Sequence, residues 1–341
     1  MELARSLQLV RCLTMVQRVL QLVVVACCAT RTAAKSQGNQ DALLREIFDA
    51  VRETNRFFVE FGFNAPSFEE GSGANTQALW EVGWHGLLLD GGRSNATINL
   101  VQAFISSTNI VQLFRENSVP IELDFLSVDM DSADLWVLRA ILSVYRPRVI
   151  IIEFNSNYDF DGPLASAITF HDPSTMPTLN GRASWNGTCF FGASAKSIVN
   201  VASANGYELV ASEAPFDLFF VRGDVWKQRK QPHRPLFQTG VTAAYAGARQ
   251  LARAVPNHAP MTISEAQNLL DYDVYARTGS LCEARAAATR ALKVYAQDKG
   301  NRSSHRCFRF LRGLEPPKCG RAGAHAVGSV LSTQLGRADG R

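Results

Sequence analysis

The apolar positions between residues 121 and 157 predict a strand, a helix and a second strand. Phe125–Val128 and Val149–Ile152 are apolar runs with the length and composition of strands. Between them, apolar residues recur at helical spacing: Leu135, Leu138, Ala140, Ile141 and Leu142. Pro147 then ends the helix. Strands that are apolar throughout are typical of parallel strands covered on both faces, so we predict a strand–helix–strand unit in a parallel sheet.

The pattern of apolar positions also predicts strands and helices before and after this unit. Residues 42–51 place their apolar side chains on one helical face, which predicts a helix that covers the sheet edge. Further strands are predicted at Phe57–Gly62, Trp84–Asp90, Ile98–Ser106, Tyr207–Ala211 and Leu218–Arg222, and the strand at Phe125–Val128 is extended back to Leu123 as Leu123–Val128. Further helices are predicted at Asn75–Val82, Asn109–Glu116 and Gly192–Asn205. The alternation predicts an α/β fold with a mostly parallel sheet.

Polar side chains follow the two central strands at the point where each strand ends. Asp129 and Asp131 follow the first, and Glu153, Asn155 and Asn157 follow the second. Ligands of open parallel sheets bind beyond the carboxyl ends of the strands, so these side chains gather where a site is expected. In the alternative interpretation, Asp131 and the nearby Asp134 only cap the helix that follows.

The first two strands also end in polar residues. Glu60 and Gly62 end the first strand, and Asn64 follows them. The dinucleotide fingerprint G-x-G-x-x-G is absent from this turn, so the glycines alone are weak evidence for a nucleotide. Asp90 ends the second strand, where a carboxylate can accept two hydrogen bonds from a ribose diol. A turn aspartate ahead of two glycines is the alternative.

The rest of the chain is less regular. Residues 158–191 form a long connection that passes over the predicted crevice, which suggests a substrate lid, and His171 is the one histidine in it. The catalytic body is predicted to span residues 35–226, followed by a linker over 227–262. Helices at Ser264–Tyr275 and Leu281–Tyr295 predict a helical, basic C-terminal extension over 263–341, with a disordered end.

The N-terminus has the features of a targeting segment. Three arginines precede the apolar run Val19–Ala29, which is too short for a comfortable membrane span and has the length of a signal-peptide core. Residues 1–34 are therefore predicted to be a signal peptide or a signal anchor, which directs the chain to the secretory pathway (ER or Golgi lumen, or secreted). Three acceptor sequons, at Asn95, Asn186 and Asn301, matter only in that route and predict a glycoprotein.

Four cysteines remain beyond the targeting segment: Cys189, Cys282, Cys307 and Cys319. They allow three disulfide pairings, among which the sequence does not choose. Their spacing does not resemble that of a zinc site.

The composition is that of an ordinary globular protein, with 46% hydrophobic and 19% charged residues. The net charge of +4 is unevenly placed, because the residues from Lys227 onward hold 19 Lys and Arg against 7 Asp and Glu. A basic tail on an acidic body suggests contact with a membrane surface, a glycan or the body itself, and a solvated extension is the alternative. Basic residues are not interleaved with aromatics in the body, so no nucleic-acid partner is predicted.

Several sequence blocks stand in one order between Glu53 and Arg222: V-E-F-G-F-N, G-A-N-T-Q-A-L-W, G-W-H-G-L-L-L-D-G, D-F-L-S-V-D-M-D-S-A-D-L-W, R-P-R-V-I-I-I-E-F-N, F-F-G-A-S and G-Y-E-L-V. Together they resemble the FkbM-type family of S-adenosylmethionine-dependent methyltransferases. The resemblance implies a Rossmann-like class I methyltransferase sheet of about seven strands and methyl transfer, usually to a hydroxyl oxygen. The sequence departs from the family in its first loop, where Gly62-Phe63-Asn64 is followed by an insertion up to Gly73.

The resemblance also implies roles for individual residues. By position, Glu60, Gly62 and Asn64 line the methionine side of the cofactor, Asp90 holds its ribose, and Asp129 faces the reacting centre. The acceptor is then a small molecule or a glycan.

Two chemical roles are open for the acidic cluster. Methyl transfer needs alignment of the acceptor and removal of its hydroxyl proton, for which Asp129 or Asp131 is the candidate base. Alternatively, four oxygen donors could hold a divalent metal such as Mg²⁺: Asp129, Asp131, Glu153 and Asn155.

Two other functions compete with methyl transfer. Asp129-Met130-Asp131 also resembles the Asp-x-Asp element of a metal-dependent glycosyltransferase, which a lumenal location suits. A non-catalytic binding module is the third interpretation, and the altered first loop is its main support.

Overall fold

The computed structural model describes residues 35–70, 73–130, 133–158, 162–169, 187–213, 217–229, 259–297, 305–308, 311 and 314–319. The predicted targeting segment, most of the predicted linker and the end of the basic tail lie outside these residues. The described residues from Lys35 onward belong to one compact unit.

A seven-stranded sheet forms the centre of this unit. Its strands, in chain order, are β1 (Phe57–Phe61), β2 (His85–Asp90), β3 (Leu100–Gln102), β4 (Phe125–Val128), β5 (Val149–Glu153), β7 (Tyr207–Glu213) and β8 (Asp217–Arg222). The spatial order is β3-β2-β1-β4-β5-β8-β7, and β8 runs antiparallel to both of its neighbours. A second, two-stranded sheet pairs β6 (Ala167–Thr169) with β9 (Leu269–Asp271). The predicted mostly parallel, Rossmann-like sheet is confirmed.

Ten α-helices are described, and they accompany the two sheets: α1 (Gln40–Val51), α2 (Gln77–Glu81), α3 (Ile110–Glu116), α4 (Asp134–Leu142), α5 (Ala195–Ala204), α6 (Gly223–Lys227), α7 (Ile263–Gln267), α8 (Tyr272–Thr278), α9 (Leu281–Gln297) and α10 (His305–Phe308). Alternate residues of the central strands enter two different cores. Leu126 and Ile150 pack with α3, α4 and α5, whereas Phe125 and Ile151 pack with α1. Because both faces are covered, the central strands are apolar at nearly every position, as predicted.

The third strand is shorter than predicted, because local hydrogen bonds interrupt the sequence pattern on both sides. Before it, the Asn95 side chain accepts a hydrogen bond from the Thr97 amide and caps a 3₁₀ turn at Ala96–Ile98. After it, the Asn109 side chain accepts from the Ser106 amide at 2.8 Å and begins the turn into α3. Side chains of this type compete with the strand ladder for backbone groups.

The predicted helix Ser264–Tyr275 is wrong, since β9 divides it into α7 and α8. Leu269 and Leu270 are fully buried and pair with β6, which gives their backbone a sheet partner. The Asp271 side chain then accepts from the Val274 amide at 3.0 Å and caps α8. The predicted lid correspondingly contains a strand, β6, in its described part.

The described part of the C-terminal extension packs against the body rather than forming a body of its own. Besides the β6–β9 pairing, Cys189 is joined to Cys307 by a disulfide across 118 residues. Cys282 and Cys319 form a second disulfide within the extension. One of the three possible pairings is thereby selected.

Candidate functional site

The site is expected where the direction of the chain through the sheet reverses. The chain proceeds outward from β1 to β2 and β3, then returns to the other side of β1 at β4. Gly62 follows β1 with φ +65°, and a methyl group there would overlap the carbonyl oxygen of Asp129. Glycine is therefore required by both conformation and space. The structure brings Gly62 and Asp129 together at the switch point, where open α/β sheets bind ligands.

Asp90 links the loop after β1 to the loop after β2 beside the switch point. One carboxylate oxygen accepts a hydrogen bond from the Asn64 amide at 3.0 Å, and the other accepts from the Gly92 amide at 2.7 Å. Asn64 adopts φ +54°, which turns the first loop toward the end of β2. Each Asp90 oxygen accepts one of these two hydrogen bonds and can accept another. The fixed carboxylate is therefore suited to bind the two hydroxyl groups of a diol.

An aromatic ring and a cation border Asp90. A methyl group at Gly91 would lie 3.1 Å from a ring carbon of Phe104, so the ring lies directly against this glycine. Phe104 is 49% exposed, which leaves much of the ring free for contact. Arg93 donates a hydrogen bond to the Asn64 carbonyl and stabilises the left-handed loop. Carboxylate and exposed ring together suit a nucleoside, whose ribose and base need these two kinds of contact.

Glu60 lies beneath the switch point and is buried. Its carboxylate accepts hydrogen bonds from the Asn75 amide at 2.8 Å, the Thr76 amide at 3.2 Å and the Thr76 hydroxyl. The Asn75 side chain continues the network to Ser127 of β4 at 3.0 Å. Burial raises the pKa of Glu60 to about 7, although the hydrogen bonds from Thr76 and Asn75 oppose this shift.

A second buried carboxylate faces the same place. Asp217, the first residue of β8, accepts a hydrogen bond from the side-chain amide of Gln40 at 2.8 Å. Burial raises the pKa of Asp217 to about 6, and the negative charge of Asp217 contributes to the raised pKa of Glu60.

Four carboxylates line one small cavity here: Glu60, Asp129, Glu153 and Asp217. Gln37, which precedes α1, and Gln40, the first residue of α1, also line this cavity. The cavity measures about 30 Å³, which is room for about one or two water molecules. Burial of Glu60 and Asp217 disfavours their charged forms, and a cation placed beside these two acids would offset that cost.

Asn155, a predicted metal ligand, has a structural role instead. Its side-chain NH₂ donates to the carbonyls of Cys189 and Phe191 at 3.0 and 2.8 Å, and its oxygen accepts from the amide and side chain of Asn157. All of its hydrogen-bonding capacity is used to hold the 187–192 segment against the end of β5. Its assignment as a metal ligand therefore loses its basis.

Other predicted residues lie outside the described ranges. Asp131 and His171 are among them, so the Asp-x-Asp interpretation stays a prediction, as do the sequons at Asn186 and Asn301. Asn95 is described, and its side chain donates to the Pro66 carbonyl at 2.8 Å. Over the residues that the structure describes, no group of three or more acids, histidines or cysteines is arranged to hold a metal ion.

Sequence reasoning missed Gln40, Asp217 and the Asn75–Thr76 pair. The G-A-N-T block contains Asn75 and Thr76, so the motif was visible while the hydrogen bonds to Glu60 were not. Gln40 and Asp217 are 177 residues apart and belong to no motif, so only the folded chain shows that they meet.

None of the helices within the described ranges has the length and apolar character to cross a membrane.

Comparison with known proteins gives a distant likeness in structure only. No protein-family model matches the sequence, and no curated protein matches it. Solved structures that match include the MycE methyltransferase from the mycinamycin biosynthetic pathway in complex with Mg and SAH, at 15% identity and a TM-score of 0.36. A second MycE structure, with Mg, SAH and mycinamycin VI, matches at 12% identity and a TM-score of 0.33. Each match covers 62% of this chain and 60% of the other, so the chain spans less than two thirds of the structures it matches.

Proposed function

We propose that this protein is an S-adenosylmethionine-dependent methyltransferase of the FkbM type that methylates a hydroxyl oxygen of a small-molecule or glycan acceptor. The observation that carries the proposal is the position of Asp90. It ends β2 beside the switch point and is fixed by the Asn64 and Gly92 amides. A carboxylate held in this way fits the ribose of an adenosyl group, and the exposed ring of Phe104 fits its base.

The acid-lined cavity supports the same cofactor. S-adenosylmethionine has a cationic sulfonium and a cationic amine, and Glu60 and Asp217 are buried acids without a cationic partner among the hydrogen bonds they make. Bringing a cation close to them favours their ionised forms and offsets the cost of their burial. The methionine portion therefore belongs at the carboxyl end of β1, next to Gly62.

When bound, the cofactor supplies an activated methyl group, so this chain's residues have to position the acceptor and accept a proton. Asp129 lies at the switch point and lines the cavity, which makes it the described candidate for the base that takes the acceptor's hydroxyl proton. Asp131 remains a second candidate from the sequence. A divalent metal held by Asp129 and Glu153 stays a prediction from the sequence.

The segment around Gln37 and Gln40 has to move for the cofactor to bind. A cavity of about 30 Å³ is far smaller than the 300–1,000 Å³ that small-molecule sites usually occupy. Gln37 and Gln40 are part of the lining, so displacement of residues 35–40 would enlarge the site. If the segment does not move, the small cavity favours the second candidate function, a binding module that takes no cofactor.

The two disulfides support the proposed secretory location. All four cysteines beyond the targeting segment are paired, and disulfides of this kind persist in oxidising compartments. Membrane association through the N-terminal segment or the basic tail remains a proposal from the sequence.

The proposal is tested by calorimetric titration of the folded protein with S-adenosylmethionine, with its demethylated product, and with nucleotide sugars plus Mn²⁺. We expect micromolar affinity for the first two ligands and none for the sugars. Binding of a nucleotide sugar alone would establish the glycosyltransferase alternative. If protein with a native circular dichroism spectrum binds none of these ligands, the non-catalytic binding module is the remaining interpretation.

A further inference from the structure

A second pocket lies on the flank of the sheet, away from the switch point. It is a groove of about 590 Å³ between α4, α5 and α8, and its lining includes Arg139, Asn200, Tyr272, Asp273 and Arg277. This volume is within the range of small-molecule sites. The proposed methyl transfer does not use any of these residues.

Arg139 is the distinctive residue of this groove. Its guanidinium carbon lies 5.5 Å from the ring centre of Trp136, 5.7 Å from that of Tyr272 and 5.9 Å from that of Tyr275. We name these three rings the aromatic cage. The cage holds the guanidinium by cation–π contacts, which fix its plane and remove part of its hydration.

The cage is itself fixed in place. The Trp136 ring nitrogen donates to the Thr169 carbonyl of β6 at 2.9 Å, and its ring meets that of Tyr275 edge-on at 5.3 Å. Tyr272 is buried, and its backbone amide donates to the Ser166 carbonyl at 2.8 Å. Arg139 is therefore presented by a rigid setting rather than by a mobile surface side chain.

The charge in the groove is positive. Across the described part of the chain, no acid lies within ion-pair distance of Arg139. Asp273 is in the lining, but it is paired with Lys196 at 3.0 Å and also accepts hydrogen bonds from Ser166 and Asn200. Arg139 and Arg277 thus contribute two positive charges that Asp273 does not neutralise.

We propose that this groove is a binding site for a small ligand with an oxyanion group, and that Arg139 is its main anchor. A guanidinium whose plane is fixed by rings presents its N–H groups as a fork, which matches the paired oxygens of a sulfate, phosphate or carboxylate. Arg277, which is on α8, adds a second positive charge to the lining. The apolar residues Val201 and Ala276 leave room for the uncharged part of the ligand.

The test uses the full chain at low ionic strength, titrated with sodium sulfate, sodium phosphate and sodium citrate, with sodium chloride at matched ionic strength as the control. Heteronuclear NMR or calorimetry gives the affinity. We expect saturable binding of at least one of the three anions with a millimolar or lower dissociation constant. The Arg139→Gln substitution should weaken it about tenfold, and Arg277→Gln should weaken it by a smaller factor.

Two further variants make the test specific. Arg139→Lys keeps the charge but loses the fork, so its affinity should fall between those of the wild type and Arg139→Gln. Arg229→Gln removes another ring-stacked arginine, 4.4 Å from the Trp226 ring, and should leave anion binding unchanged. The proposal is overturned if the folded wild type shows only the chloride response, or if folded Arg139→Gln binds the anions as tightly as the wild type does. Affinity for S-adenosylmethionine should be the same in all of these variants.

Discussion

Gln40 and Asp217 form a buried hydrogen bond of 2.8 Å that joins the first residue of α1 to the first residue of β8. The bond closes one side of the acid-lined cavity, and it holds a carboxyl group whose pKa is raised by burial to about 6. The segment that leads out of the predicted targeting region is therefore in direct contact with the candidate site. Displacement of this segment would remove the Gln40 hydrogen bond, which lowers the pKa of Asp217.

The first prediction concerns stability against pH. Glu60 and Asp217 have folded-state pKa values of about 7 and about 6, above their ordinary values, so these two carboxyls bind more protons in the folded chain than in the unfolded chain between about pH 4 and 7. Their contribution to the free energy of unfolding should therefore fall as pH rises through this window. We expect Asp217→Asn, which keeps an acceptor for Gln40, to reduce the fall by on the order of 2 kcal/mol.

Urea denaturation at intervals between pH 4.5 and 7.5 measures this effect. Asp49→Asn, on the exposed side of α1, is the control and should retain the wild-type slope. An identical pH dependence in the wild type and Asp217→Asn would show that this carboxyl titrates alike in the folded and unfolded states.

The second prediction concerns the cofactor. Asp90→Ala removes the carboxylate proposed to hold the ribose, and two charge-assisted hydrogen bonds are worth about 1.5–3 kcal/mol each. We expect the affinity for S-adenosylmethionine and for its demethylated product to fall at least about tenfold. Calorimetric titration checks this result.

Asp90 also accepts hydrogen bonds from the Asn64 and Gly92 amides. The loss of a contact with the ribose therefore has to be distinguished from a disturbance of these two loops. Asp90→Asn retains one acceptor and the shape of the side chain, and it should bind with intermediate affinity. If methionine alone, which has no ribose, lost affinity as strongly as the whole cofactor in Asp90→Ala, the substitution would be acting through the loop instead.

The sequence predicted the sheet because its signal is local. The strands Phe57–Phe61, Phe125–Val128 and Val149–Glu153 are apolar at nearly every buried position, and each lies within a residue or two of its predicted bounds. The position of Gly62, Asp90 and Asp129 at strand ends was predictable for the same reason, whereas their roles in a site stay predictions.

The features that the sequence did not predict depend on contacts between residues far apart in the chain. Leu269 and Leu270 fit a helix by spacing, and only the partner strand β6 makes them a strand. Asn155 had the chemistry of a metal ligand, but its amide is used by the backbone of a segment more than 30 residues away. Hydrophobic periodicity contains no information about such pairings.

The third prediction concerns Gly62. Gly62→Ala should destabilise the fold both through its left-handed conformation and through the overlap with the Asp129 carbonyl. Gly279 has the same φ of +65° with open space around its Cβ position, so Gly279→Ala has only the conformational cost, about 1–2 kcal/mol. We expect Gly62→Ala to exceed that cost clearly in urea denaturation. Equal losses of unfolding free energy in the two variants would mean that the backbone near Gly62 and Asp129 shifts to accommodate the methyl group at no cost in stability.

The last prediction concerns the disulfides. Replacing both cysteines of the Cys189–Cys307 pair with alanine should lower the free energy of unfolding by about 2–5 kcal/mol. The bond closes a loop of 118 residues, whereas Cys282–Cys319 closes one of 37, so chain entropy alone makes the first pair worth about 1 kcal/mol more. The first pair also fixes the segment that Asn155 binds, which should widen the difference. Chemical denaturation of the two double variants compares them directly, and a larger loss from the shorter loop would show that the extension, rather than its attachment to the body, depends on disulfide bonding.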